Sequence, residues 1–116
     1  GVRPLKDKTF IYDLAANKWS PASDNPSFGS DAHSAFVYDS NANACLLFGR
    51  KGGNYSKEPW TLSVYDIAND KWEVVDVQGD PLPQNETVAG YYDPAHNAFV
   101  IYCGRSAQTY VYRHKK

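Results

Sequence analysis

The stretch Phe10-Ile11-Tyr12-Asp13-Leu14-Ala15-Ala16-Asn17-Lys18-Trp19 returns later in the chain as Ser63-Val64-Tyr65-Asp66-Ile67-Ala68-Asn69-Asp70-Lys71-Trp72. Tyr12 maps onto Tyr65 and Trp19 onto Trp72 with a common offset of 53 residues. A second block recurs at nearly the same interval: Ala35-Phe36-Val37-Tyr38-Asp39 returns as Ala89-Gly90-Tyr91-Tyr92-Asp93, offset by 54. After it, Asn43-Ala44-Cys45-Leu46-Leu47-Phe48 returns as Asn97-Ala98-Phe99-Val100-Ile101-Tyr102, and Thr109-Tyr110-Val111-Tyr112 repeats Thr9-Phe10-Ile11-Tyr12. Self-similarity at one period marks a repeat architecture, in which each unit needs its neighbours to cover its apolar faces.

Each unit reads as short strands. Leu46-Leu47-Phe48 and Phe99-Val100-Ile101-Tyr102 are continuous apolar runs with Asn before them and Gly after, the pattern of a strand buried on both faces. Trp72-Glu73-Val74-Val75-Asp76-Val77 is rich in β-branched residues. Between the strands, Asp13, Asp39, Asp66 and Asp93 each follow a tyrosine, where a short carboxylate can bond backbone two residues on and open a turn. Asn17, Asn43, Asn69 and Asn97 lie inside those turns and are expected to take the unusual φ values. Only 13–17 has helix-like composition, and it is too short to be a helix. The fold class is all-β.

Composition agrees and excludes several functions. The chain of 116 residues is 42% hydrophobic and 15% aromatic, enough to close one small core. A net charge of −1 gives no footprint for nucleic acid or an anionic membrane surface. No apolar run approaches the roughly 20 residues of a membrane span. Two cysteines cannot make a disulfide scaffold. Methionine is absent, so the chain is expected to be processed, tagged and cleaved, or cut from something longer.

Four strands per unit with Tyr-Asp and Trp landmarks resemble the blade of a β-propeller, and kelch repeats in particular. The residues that carry the likeness are His33-Ser34-Ala35-Phe36-Val37-Tyr38, then Leu46-Leu47-Phe48-Gly49, Val64-Tyr65-Asp66 and Lys71-Trp72. It covers the chain from Thr9 to Arg113 and is closest in style to the central domain of galactose oxidase. It departs where the family's Gly-Gly pair is Gly49-Arg50 in one unit and Cys103-Gly104 in the next, and where the histidine becomes Thr87. The resemblance implies antiparallel kelch-type blades, about two and a quarter of them, within 1–116. The last two strands of one blade fall at 8–22, a complete blade at 33–78, and three strands of a final blade at 87–113.

Such a chain cannot close a ring alone, because closure needs at least four blades. The remaining blades are expected from another chain or from copies of this one. The charged ending Tyr112-Arg113-His114-Lys115-Lys116 and the missing fourth strand favour the C-terminal piece of a larger propeller. The long, Asn-rich units resemble those of exported bacterial proteins.

No catalytic or metal-binding constellation stands out. There is no G-x-S-x-G and no Cys/His pairing, and His33, His96 and His114 lack metal-ligand spacing. His33 is expected to hydrogen-bond within the blade, and His96 to be solvated. Cys45 and Cys103 fall at opposite ends of equivalent strands, which points to buried free thiols. The resemblance brings the radical-copper chemistry of galactose oxidase to mind, but the Tyr-Cys pair and histidine ligands it needs are not evident, so no cofactor is expected. The candidates are loop residues instead. Arg50, Lys51, Tyr55, Lys57 and Trp60 share one loop, with Arg105 in another, and their types are those enriched at binding hot spots. The expected function is a non-catalytic interaction or scaffolding module with a protein partner. Alternatives are the propeller part of a carbohydrate-active or oxidative enzyme, or a lectin-like carbohydrate binder stacking sugars on Trp60 or Tyr55.

Overall fold

Four hairpins carry the same latch. A tyrosine near the end of one strand donates its hydroxyl to a side-chain oxygen five residues on: Tyr12 to Asn17, Tyr38 to Asn43 at 3.0 Å, Tyr65 to Asp70 at 2.6 Å and Tyr92 to Asn97 at 2.7 Å. The accepting residue has φ of 49–50° each time, a left-handed conformation that Asn and Asp tolerate. The aspartate after each tyrosine caps the turn from the other side. Asp13, Asp39, Asp66 and Asp93 accept backbone N–H bonds of 2.9–3.3 Å from residues two or three further on. In the third hairpin the left-handed residue is Asp70, not Asn69. The position that must turn is the last before the next strand, and Asn69 stands one earlier, where its amide caps Asp66 at 2.7 Å.

The computed structural model describes residues 2–5, 8–24, 34–51, 57–83 and 85–115, of which 3–5 are described by their backbone. The described residues form ten strands in three antiparallel sheets. The N-terminal sheet holds β1 (Val2–Leu5), β2 (Lys8–Asp13) and β3 (Lys18–Ala22) in that order. The central sheet runs β4 (Ala35–Asp39), β5 (Ala44–Gly49), β6 (Thr61–Asp66), β7 (Lys71–Val75). The C-terminal sheet runs β8 (Val88–Asp93), β9 (Ala98–Cys103), β10 (Thr109–Tyr112). Among the described residues there is no helix, hence none long and apolar enough to cross a membrane. β1 is a strand that the repeat does not announce. Its Arg3-Pro4 pair breaks the apolar pattern, and proline is tolerated because β1 is an edge strand. His33 lies outside the described residues.

The central sheet is covered on both faces. Successive side chains of a strand point to opposite sides, so β5 divides its residues. Cys45 and Leu47 join Tyr65 and Trp72 against Val2, Ile11 and Ala22 of the N-terminal sheet. Leu46 and Phe48 join Leu62 and Val64 against Val88, Phe99 and Ile101 of the C-terminal sheet. All six residues of β5 are buried for that reason. The equivalent run in β9 is covered on one side only. Phe99 and Ile101 are buried, whereas Val100 is half-buried and Tyr102 is exposed, because no described segment lies over that face. Burial on both faces therefore holds for β5 and fails for β9.

Polar bonds lock the first interface. The Trp72 indole N–H donates to Thr9 Oγ1 at 2.9 Å and to the Ser23 carbonyl at 3.0 Å. Ser23 in turn donates its backbone N–H to Asp70 Oδ1 at 2.9 Å and its hydroxyl to the Asp70 carbonyl at 2.7 Å. The Ser23 N–H, with the Tyr65 hydroxyl, holds the Asp70 carboxyl below the ordinary aspartate value of 3.8. The second interface depends on a close approach. A Cβ on Gly90 would lie 2.7 Å from the Phe99 ring and 2.9 Å from the Val100 carbonyl oxygen within its own sheet, and 3.1 Å from Ala35 Cβ across the interface.

Two outcomes follow for stability. Gly90→Ala should cost about 1–3 kcal/mol in denaturant titrations, because the new methyl would collide with the Phe99 ring and Val100 carbonyl of its own sheet and press on Ala35 of the central one. The Asp70 pKa is depressed in the folded chain, so its stabilisation is complete above the ordinary aspartate range and lost as pH falls through the folded value. Thermal midpoints of wild type should therefore drop more steeply as pH falls below the ordinary aspartate value of 3.8 than those of Asp70→Ala, which starts lower.

Candidate functional site

β5 and β6 pair through Gly49 and Thr61 at their ends, so the residues just beyond, Arg50 and Trp60, face each other across the mouth of the loop. The Arg50 guanidinium carbon lies 4.3 Å from the centre of the Trp60 ring, a cation–π contact. The Phe48 ring stacks on the same indole at 5.5 Å and 7°. Both groups also reach the connection from β7 to β8. Trp60 Nε1 donates to the Pro83 carbonyl at 3.0 Å, and Arg50 Nη2 to the Glu86 carbonyl at 3.4 Å.

Glu86 is the other half of this corner. Its side chain is fully buried, and its carboxylate is met by hydrogen-bond donors, three of them backbone N–H groups with the Ser106 hydroxyl beside them. Oε1 accepts from the N–H of Arg105 at 2.6 Å and of Thr87 at 3.2 Å, and Oε2 from the N–H of Ser106 at 3.1 Å. Burial opposes ionisation, but these bonds from Arg105, Ser106 and Thr87 outweigh it and hold the carboxyl below the usual glutamate range. The carboxylate organises the β9–β10 turn, where Ala107 takes a φ of 58°. One corner thus ties together the β5–β6 loop, the β7–β8 connection and the β9–β10 turn.

Beside the corner, the β7–β8 connection roofs a cleft of about 350 Å³ between the central and C-terminal sheets. Phe48, Leu62, Ile101, Tyr110 and Tyr112 form its floor and walls, and Val77 and Leu82 its roof. A shallower neighbour of about 220 Å³ opens along Pro59, Trp60 and Pro81.

The loop candidates separate into two groups. Arg50 is buried and Trp60 half-buried, and both belong to the scaffold of the corner. Lys51 and Lys57 are exposed, and Arg105, whose backbone binds Glu86, is also exposed. Tyr55 lies outside the described residues. Glu86, Tyr110 and the cleft were not singled out from sequence. Glu86 sits in the triplet Asn85-Glu86-Thr87, which reads only as a common glycosylation pattern, and its partners are 19 and 20 residues away. His96 is exposed and bonds Asp93 Oδ2 at 2.7 Å. Among the described residues no group of three or more His, Cys, Asp or Glu could hold a metal ion.

Cys45 and Cys103 are free and buried. Burial pushes the Cys45 thiol up to about 11, and burial followed by the nearby Glu86 charge pushes Cys103 up to about 11. No protein-family model matches the chain, and no curated protein matches it.

The corner and the thiols each generate a test. Glu86→Ala leaves buried N–H donors without an acceptor and should lower the folding free energy by about 1–3 kcal/mol in chemical denaturation. Neither thiol should react with an aromatic disulfide reagent at neutral pH on the timescale of minutes, and both should react at once in denaturant.

Proposed function

We propose that the chain is a set of contiguous kelch-type β-propeller blades acting as a non-catalytic interaction or scaffolding module. The observation that supports the reading best is the order of stacking. Three antiparallel meanders lie face to face in chain order, each containing at least one hairpin with the same Tyr-Asp latch. The 8–22, 33–78 and 87–113 segments are then a partial blade, a complete blade and a final partial blade, with β1 added to the first. In this reading Arg50, Trp60 and Glu86 brace the loops, and Lys51, Lys57 and Arg105 are the contact residues. Exposed cations at one end of a rigid stack suit an acidic protein surface, where complementary charge sets association rate and orientation.

The test is affinity capture with quantitative mass spectrometry, using wild type and the triple variant Lys51→Glu, Lys57→Glu, Arg105→Glu. The expected result is a protein enriched by wild type and depleted about tenfold or more with the variant, at unchanged far-UV circular dichroism. Sugar binding on a glycan array, with no protein lost from the variant, would overturn the reading in favour of a lectin.

A further inference from the structure

The interface between the N-terminal and central sheets defines two matching half-surfaces. One is the ring pair Tyr65–Trp72, with centroids 5.1 Å apart. The other is Thr9 with Ile11, which receives that pair and supplies the hydroxyl that accepts the Trp72 indole N–H. Both half-surfaces occur in the chain a second time, on outward faces. Tyr12–Trp19 is the repeat equivalent of Tyr65–Trp72, with centroids 5.0 Å apart. It lies on the outer side of the N-terminal sheet, and Trp19 is 48% exposed against 7% for Trp72. Thr109 and Val111 are the repeat equivalents of Thr9 and Ile11. They lie on the outer side of the C-terminal sheet, in register with Tyr102 and Val100. On that face Tyr91 is 60% exposed, Tyr102 48% and Val111 55%, whereas Leu46 and Phe48, which match Val100 and Tyr102, are buried in the central sheet.

We propose that a second copy of this chain covers these faces. The outer face of the N-terminal sheet of one copy seats on the outer face of the C-terminal sheet of the other, with the Trp19 indole N–H donated to the Thr109 hydroxyl. A second copy is the occupant because this one chain carries both halves of an interface that it already forms internally. Exposed clustered aromatics on a rigid sheet are also the surface that protein contacts bury. The contact is head-to-tail, so it either closes a ring or grows open-ended. Rings of this architecture hold four to eight sheets. With the three described sheets per copy, closure requires two copies, and that count rests on the propeller reading above.

The test is the solution mass of wild type, Trp19→Glu, Tyr102→Glu and a mixture of the two variants, with circular dichroism for each. Wild type should run at twice the 13.0 kDa chain mass. Each variant alone should run at the mass of one folded chain. The mixture should form a two-chain species, because each variant supplies the face that the other lacks. Thr109→Val should keep the fold and weaken assembly about tenfold, the effect of one lost hydrogen bond. Folded single chains of wild type at tens of micromolar would overturn the proposal. So would a variant that still pairs with itself, or a wild-type chain that is unfolded alone, the last pointing to sheets from a different protein. Open-ended wild-type assemblies that both variants cap would uphold the contact and overturn the propeller reading behind the count of two.

Discussion

An indole N–H taken out of water must find an acceptor, or its burial costs about 1–3 kcal/mol. On Trp72 it finds two, the Thr9 hydroxyl in the N-terminal sheet and the Ser23 carbonyl just past that sheet's last strand. That requirement positions the N-terminal sheet on the central one more sharply than apolar contact could, since hydrophobic burial has no direction. Ser23 then completes the bond to Asp70, and Asp70 already receives the Tyr65 hydroxyl within its own hairpin. The latch that closes one turn is thus the same group that aligns two sheets.

The opposite corner solves a different problem with similar means. Connections that cross from one sheet to the next carry backbone groups past the ends of the strands, where no ladder can satisfy them. Arg50 and Trp60 supply donors to the carbonyls of the β7–β8 connection, and the Glu86 carboxylate supplies acceptors to the N–H groups of the β9–β10 turn. The buried anion is met by donors of the β9–β10 turn, and the buried cation reaches the Glu86 carbonyl and the Trp60 ring. The exposed cations around them rest on a frame that their own side chains do not build.

The fold was legible to the extent that its determinants are local. The four Tyr-Asp turns could be read because every bond of the latch spans five residues or fewer. The exchange of Asn69 for Asp70 shows the limit of that reading, since aspartate also tolerates the left-handed region and composition alone did not separate them. β1 was hidden because strand pairing at an edge asks little of side-chain pattern. At the corner, the Arg50–Trp60 loop was visible as a cluster of anchor-type residues, but their burial was not. Whether an arginine faces solvent or a carbonyl depends on Glu86, 36 residues away. Glu86 itself carried no signal, because its acceptor role is defined by backbone brought near only by stacking.

Every described strand pairs only with its neighbour in the chain, and each sheet packs on the sheet next to it in sequence. Energetically this is a one-dimensional stack, with each layer coupled to those before and after it. The central sheet, packed on both sides, has the most contacts to break before its backbone bonds open, and each end layer has one such face. Chain entropy follows the same geometry. The four latched hairpins each close over a four-residue turn, so a layer can form as soon as its own strands have left the ribosome, and the next layer condenses on a finished template.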